Sequence, residues 1–102
     1  MTTLAPELAA AYFETLTAEL RAVAVLGPDW SILAGDAALG ARAEAALREV
    51  PAGEGVRLPD GDGAVHAARS ATHAVAAAVG PGAPGALVAH DLRAVLRGLA
   101  PY

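Results

Sequence analysis

Arg21-Ala22-Val23-Ala24-Val25-Leu26-Gly27-Pro28-Asp29-Trp30-Ser31-Ile32-Leu33-Ala34-Gly35 is the stretch whose reading decides the fold. Val23 and Val25 alternate with Ala24 and Leu26, so both faces of the run are apolar, the pattern of a strand covered on both sides. Gly27-Pro28-Asp29 is turn chemistry. Arg21 to Gly27 and Trp30 to Gly35 therefore read as two short strands of a hairpin.

Before the hairpin, Thr3 to Leu20 reads as a helix. Pro6 sits in its first turn, where a missing N–H matters least. Leu4, Leu8, Tyr12, Leu16 and Leu20 recur at helical spacing, Ala9 and Phe13 widen that stripe, and Glu7 and Glu14 fall opposite. After the hairpin, Asp36 to Val50 reads as a second helix with Asp36 as N-cap and Pro51 as stop. Leu39, Ala43, Ala46, Leu47 and Val50 share one face of it, Arg42, Glu44, Arg48 and Glu49 flank that face, and Ala41 and Ala45 leave the outer side bare and flat.

Three more strands follow, at Gly55 to Pro59, Ala64 to Ser70 and His73 to Val79. Asp60-Gly61-Asp62-Gly63 is a hairpin turn, and Pro59 places its strand at a sheet edge. A Pro/Gly loop, Gly80 to Gly85, leads into a last helix, Ala86 to Leu99. Its stripe is Leu87, Val88, Leu92, Val95, Leu96 and Leu99, with His90, Arg93 and Arg97 facing away. Strands joined by short turns are antiparallel. The expectation is an α+β domain: a single five-stranded antiparallel sheet with helices on both faces, in the order αββαβββα.

With 102 residues the chain fits one domain. It is 55% hydrophobic and 18% charged, which disfavours disorder. Lys, Asn, Gln and Cys are absent, and the net charge is −4. Scattered arginines on an acidic chain make no basic stripe, so neither nucleic acid nor an anionic membrane is an expected partner. Without Cys there is no disulfide framework and no thiol chemistry. The sequence from Met1 lacks the basic region and apolar run of a signal peptide, and apolar stretches are broken before membrane-spanning length, so a cytoplasmic protein is expected.

Candidate chemistry is thin. Gly80-Pro81-Gly82-Ala83-Pro84-Gly85 has the spacing G-x-G-x-x-G, yet Pro81 and Pro84 remove N–H donors that a pyrophosphate needs, and no βαβ unit follows. The loop reads as a plain connection. Asp60 and Asp62 fall short of a calcium loop, which needs three acidic positions and a later Glu. His66, His73 and His90 lack the spacing of a metal site. Ser70, His73 and Asp91 are the residue types of a hydrolytic triad without the Gly-x-Ser-x-Gly elbow. No cofactor, metal or catalytic residue is expected. An open edge strand at Val56-Arg57-Leu58, with the bare side of the second helix close by, suits pairing with a second copy of the chain; the alternative is a monomer whose edge Pro59 blocks.

Taken together, the quoted hairpin ending in small residues, the segment His73-Ala74-Val75-Ala76-Ala77-Ala78-Val79 and the helix from Leu87 to Leu99 resemble the Roadblock family, named for a dynein light chain. The resemblance runs from about Leu4 to Leu99. It departs from the family at the hairpin tip, where Asp-Gly is frequent and Gly27-Pro28-Asp29 stands here, and in a second helix that is short and Ala-rich. It implies a profilin-like sandwich and a non-enzymatic homodimer that regulates or scaffolds a small Ras-like GTPase, dynein parts or a signalling complex. By that analogy Leu39, Arg42, Ala45, Arg48 and Glu49 of the second helix and Val56, Arg57 and Leu58 of the edge strand form the dimer and partner platform. The alternative is a ligand-sensing module of GAF or PAS type. Such a pocket is large and lined with aromatic and polar groups. Four aromatic residues and an Ala-filled sheet leave the expectation of little room.

Overall fold

The computed structural model describes residues 5–16 and 19–99. The hairpin forms as β1 (Leu20–Leu26) and β2 (Ile32–Gly35), antiparallel, with a register shift between Val25 and Leu26. At its tip the Asp29 carboxylate accepts the Ser31 N–H at 3.2 Å and the Ser31 hydroxyl at 2.6 Å. Those bonds favour the charged carboxylate and hold it below the usual range. Trp30 takes a positive φ of 67°, uncommon for a side chain of that size. The Arg69 guanidinium lies 5.0 Å from the centre of its ring, a cation–π contact that anchors the turn.

The other elements are α1 (Pro6–Leu16), α2 (Ala37–Leu47), β3 (Gly55–Asp60), β4 (Gly63–Arg69), β5 (Ala74–Val79) and α3 (Gly85–Leu99). All strand pairs are antiparallel, and the sheet order is β2-β1-β5-β4-β3. The expected α+β architecture and the order αββαβββα are thus the observed ones. β1 joins β5 in the middle of the sheet, so the first hairpin docks onto the chain's last strand, and β2 and β3 are the two edges. No helix among the described residues is long and apolar enough to cross a membrane.

The alternation in β1 sorts the core into two layers. Val23 and Val25 pack with Ala9 and Phe13 of α1 and with Val88, Leu92, Val95, Leu96 and Leu99 of α3. Ala24 and Leu26 pack on the other side with Leu39, Ala43 and Leu47 of α2. Two helices thus cover one face and one helix covers the other, which is why neither side of β1 carries a polar residue between Ala22 and Leu26.

α1 departs from its expected packing in two ways. It ends at Leu16, and Leu20 already belongs to β1. The buried line is Ala9 and Phe13, both fully enclosed, whereas Leu8 and Tyr12 are 61% and 49% exposed. The lines Leu8–Tyr12 and Ala9–Phe13 are adjacent on the helix, and burying the second puts the phenyl ring over an Ala-rich sheet and leaves the tyrosine hydroxyl in water. Thr3, Leu4 and the Leu16 side chain lie outside the described residues. In α3 the expected stripe is buried except for Leu87, which is 52% exposed.

α2 starts where β2 ends because Gly35 allows it. Its φ is +92°, and a Cβ there would stand 2.1 Å from the Val23 carbonyl oxygen. The chain can therefore bend tightly enough for Asp36 to donate its N–H to that same oxygen at 2.8 Å. The Asp36 carboxylate then caps the helix, accepting the Leu39 N–H at 2.8 Å.

Candidate binding site

β3 has a sheet neighbour on one side only, and Pro59 lies in this edge strand opposite Ala64. A proline in an edge strand removes a donor that the outer side has no partner for. Period-two alternation splits the strand between the two faces of the sheet. Val56 and Leu58 are half-buried against the α2 layer, and Asp60 accepts from Arg42 Nη1 at 2.9 Å, tying β3 to α2. Arg57 points to the opposite face, beside its register partner His66.

The eight residues expected to form a platform therefore do not form one surface. Arg42 and Ala45 lie exposed on the outer side of α2, together with Ala37, Ala38 and Ala41, and since the helix ends at Leu47 rather than at Val50, Arg48 is its exposed C-cap and Glu49 follows in the turn. Arg48 pairs with Glu44 one turn earlier. Leu39 is turned inward, 6% exposed, as part of the chain's own core. Val56 and Leu58 sit at the edge beside α2, and Arg57 sits on the other side of the sheet.

That other side holds a hollow. Between α3 and the β3–β4 strands lies a groove of about 410 Å³ lined by Arg57, His66, Ala68, Ala86, Ala89 and Arg93, with Gly55 at its border. A second hollow of about 260 Å³ adjoins it, lined by Ala68, Arg69, Arg93 and Arg97. The expectation of little room is corrected by this groove. Alanines make the interior tight where elements touch, but at the border of a twisted sheet they fail to fill the wedge under a helix. His66 is 6% exposed and has no hydrogen-bond partner among the described residues. Its ring lies under the start of α3, with Cε1 3.5 Å from where a Cβ on Gly85 would be. Burial, and after it the nearby Arg57 charge, pushes its pKa below the ordinary histidine value, so it is neutral at pH 7.

No family model matches the chain, and no curated protein does.

The motifs weighed for chemistry take structural places. Asp60 and Asp62 flank the β3–β4 turn and are held from two sides, by Arg42 and by Arg21 at 2.8 Å. The Arg21 guanidinium lowers the Asp62 pKa. His66, His73 and His90 do not converge: His66 lies under α3, His73 lies at the β4–β5 turn, and His90 is exposed on α3. Among the described residues no three His, Asp or Glu side chains gather as metal ligands. Ser70 Oγ accepts the His73 backbone N–H at 3.1 Å, and His73 Nδ1 lies 2.9 Å from Thr72 Oγ1, so both side chains serve the turn. At the glycine-rich loop a Cβ on Gly82 would meet a Glu19 carboxylate oxygen at 2.1 Å. A carboxylate packed against that loop repels a phosphate.

Sequence reasoning placed Arg57 with the edge platform and read Arg93 as facing away. The signal that separates Arg57 from the platform is the alternation Val56-Arg57-Leu58: two apolar residues on one side of the strand require the arginine on the other.

Proposed function

We propose that the chain is a non-enzymatic binding module that works in the cytoplasm as a homodimer and regulates or scaffolds a small Ras-like GTPase or a signalling complex. The observation that supports the dimer is the unpaired outer side of β3 beside the exposed, alanine-rich side of α2. Joining two β3 edges satisfies backbone groups that otherwise face water. It brings two α2 helices side by side, where small residues permit close approach. Ala41, Arg42, Ala45 and Arg48 then carry the helix contact, and Val56 and Leu58 flank the joined edges. The GTPase partner rests on the resemblance of the hairpin, the last strand and the closing helix to the Roadblock family, which is an analogy of fold.

Sedimentation velocity at micromolar concentration tests the first half. A dimer is expected for the wild type, and A45E, which places a charge and its symmetry mate between the helices, is expected to shift it to monomer with an unchanged circular dichroism spectrum. A wild-type monomer across the whole concentration range overturns the dimer. Affinity capture from a lysate of the source cells with added GTP or GDP tests the second half. Recovery of a small GTPase with one nucleotide and not the other is the expected result, and recovery of none in either state counts against it.

A further inference from the structure

The chain contains seven arginines and no lysine. Arg21, Arg42 and Arg48 are paired with Asp62, Asp60 and Glu44. Arg69 donates to the carbonyls of Leu47 and Val50 at 3.3 and 3.2 Å and lies over Trp30. Arg57, Arg93 and Arg97 have no carboxylate partner among the described residues; Arg57 and Arg93 line the groove between α3 and β3–β4, and Arg93 and Arg97 line the hollow that adjoins it. On an acidic protein, chance would scatter the unpaired cations. Here they gather along two adjoining hollows, and among the described residues no acidic side chain lines the larger one.

Two more features point into the same space. His66, buried and without a hydrogen-bond partner, opens onto it and onto a smaller hollow of about 220 Å³ beside it. α3 begins at its rim behind Pro84, which has no side-chain acceptor, so no side chain caps the first-turn N–H groups. The N-terminal end of a 15-residue helix carries a partial positive charge. Ala86 and Ala89 supply an apolar wall. A volume of about 410 Å³ falls within the range of small-molecule pockets, about 300–1,000 Å³.

We propose that this groove, whose rim includes the start of α3, binds a small organic anion, with its carboxylate or phosphate drawn by Arg57 and Arg93 and its apolar part along Ala86 and Ala89. The site is independent of the dimer. Edge pairing of β3 runs in the plane of the sheet and leaves this face open, so either idea can fail while the other stands. The charged groups facing His66 are Arg57 from β3, Arg93 from α3 and, across the smaller hollow, Asp62 from the β3–β4 turn, itself paired with Arg21. An anion held between the two arginines offsets their charge and draws a proton toward the imidazole, so the His66 pKa rises on binding.

A ¹H–¹⁵N NMR titration of the full chain tests the site with five probes: phenyl phosphate, succinate, inorganic phosphate, a poly-glutamate peptide and, as the neutral analogue, benzyl alcohol. Phenyl phosphate or succinate is expected to give saturable shifts at millimolar concentration, concentrated at Arg57, His66, Gly85 and Ala86. Whichever of the two binds more tightly identifies the anionic group. Inorganic phosphate should bind more weakly for want of the apolar part. R57Q and R93Q should each weaken binding about tenfold, the loss of one charge-assisted hydrogen bond, with thermal midpoints unchanged. The His66 ring resonances should titrate at higher pH when the probe is bound. Several results would overturn the proposal: no saturable shift with any anion, shifts spread evenly over all seven arginines, equal binding of benzyl alcohol, tighter binding of a poly-glutamate peptide than of any small anion, or shifts at these residues that follow protein concentration without a probe.

Discussion

The two faces of the sheet are finished differently where they meet β3. On the α2 side the strand is closed: Val56 and Leu58 rest on the apolar layer under α2, and Arg42 reaches across to Asp60. On the α3 side it stays open: the helix leaves a wedge, the floor is glycine, alanine and His66, and the arginines there have no acidic partner among the described residues. One strand of six residues thus does two things, because successive side chains point opposite ways. Its apolar positions secure it to the molecule, and its single cation, the exposed Arg57, is left over for something else. An edge strand in a small domain can carry a binding site on one face without loosening the core on the other.

The largest expected effect breaks the face that two helices share. Phe13 is fully enclosed between α1, α3 and the sheet. The cluster that encloses it includes Ala9, Ala68 and Ala77, side chains too small to fill the space it would leave. Phe13→Ala should therefore cost about 3–5 kcal/mol, near the upper end for a core deletion. Thermal or urea unfolding measures it. A loss under about 1 kcal/mol would mean that α1 is a loose cover, and that the contrast between the faces is a contrast in helix count alone.

The sequence made the sheet legible because its signals are local. Alternation in Val23 to Leu26, the proline at position 59 and the Asp-Gly pairs at the second hairpin each mark a strand, an edge or a turn by backbone chemistry that tertiary packing does not override. The N-cap at Asp36 belongs to the same class. What the sequence left unread depends on how helices sit over the sheet. Leu8 and Tyr12 match a buried stripe as well as Ala9 and Phe13 do, and only the position of α1 over β1 and β2 chooses between neighbouring lines. The groove has no signature of its own: Arg57 and Arg93 are 36 positions apart (93 minus 57) and line one groove because β3 lies at the sheet border beside α3. Alanines suggested a filled interior and instead make an unfilled border.

Acidification should act on the open side next. His66 is buried neutral under α3, and burial also pushes the His73 pKa down at the β4–β5 turn. A histidine with a folded pKa below its unfolded value of about 6.5 takes up its proton more readily in the unfolded chain. Stability is then highest above that unfolded value and is lost as pH falls through it toward the folded one. The urea midpoint should therefore be lower at pH 5 than at pH 7. Asp29 and Asp62, whose pKa values are also lowered, start to contribute their own loss only under more acidic conditions, near the ordinary carboxylate range. H66L should retain part of the midpoint lost by the wild type, and a midpoint that stays level or rises from pH 7 to pH 5 would remove the buried neutral imidazole from the account.

The smallest effect sharpens the closed side. The Arg42–Asp60 pair joins α2 to β3, but both side chains keep about a third or more of their surface in water, at 44% and 34%. Solvent screening limits such a pair to under about 1 kcal/mol, and Arg42→Gln should cost no more than that in urea unfolding, with less difference still at high salt. If the cost is larger, the arginine is closing the face and the apolar contacts of Val56 and Leu58 are secondary. If it falls within the bound, those two side chains hold β3 to α2, and the ion pair mainly neutralises an aspartate at a turn whose other aspartate Arg21 already holds. The second outcome is the one the packing favours: Val56 and Leu58 bury part of their surface against a continuous layer, whereas the guanidinium meets one carboxylate oxygen of Asp60 and, at a long 3.4 Å, the Pro59 carbonyl at the exposed rim. A closed face built that way needs none of the unpaired arginines, which is why they remain free to gather on the other.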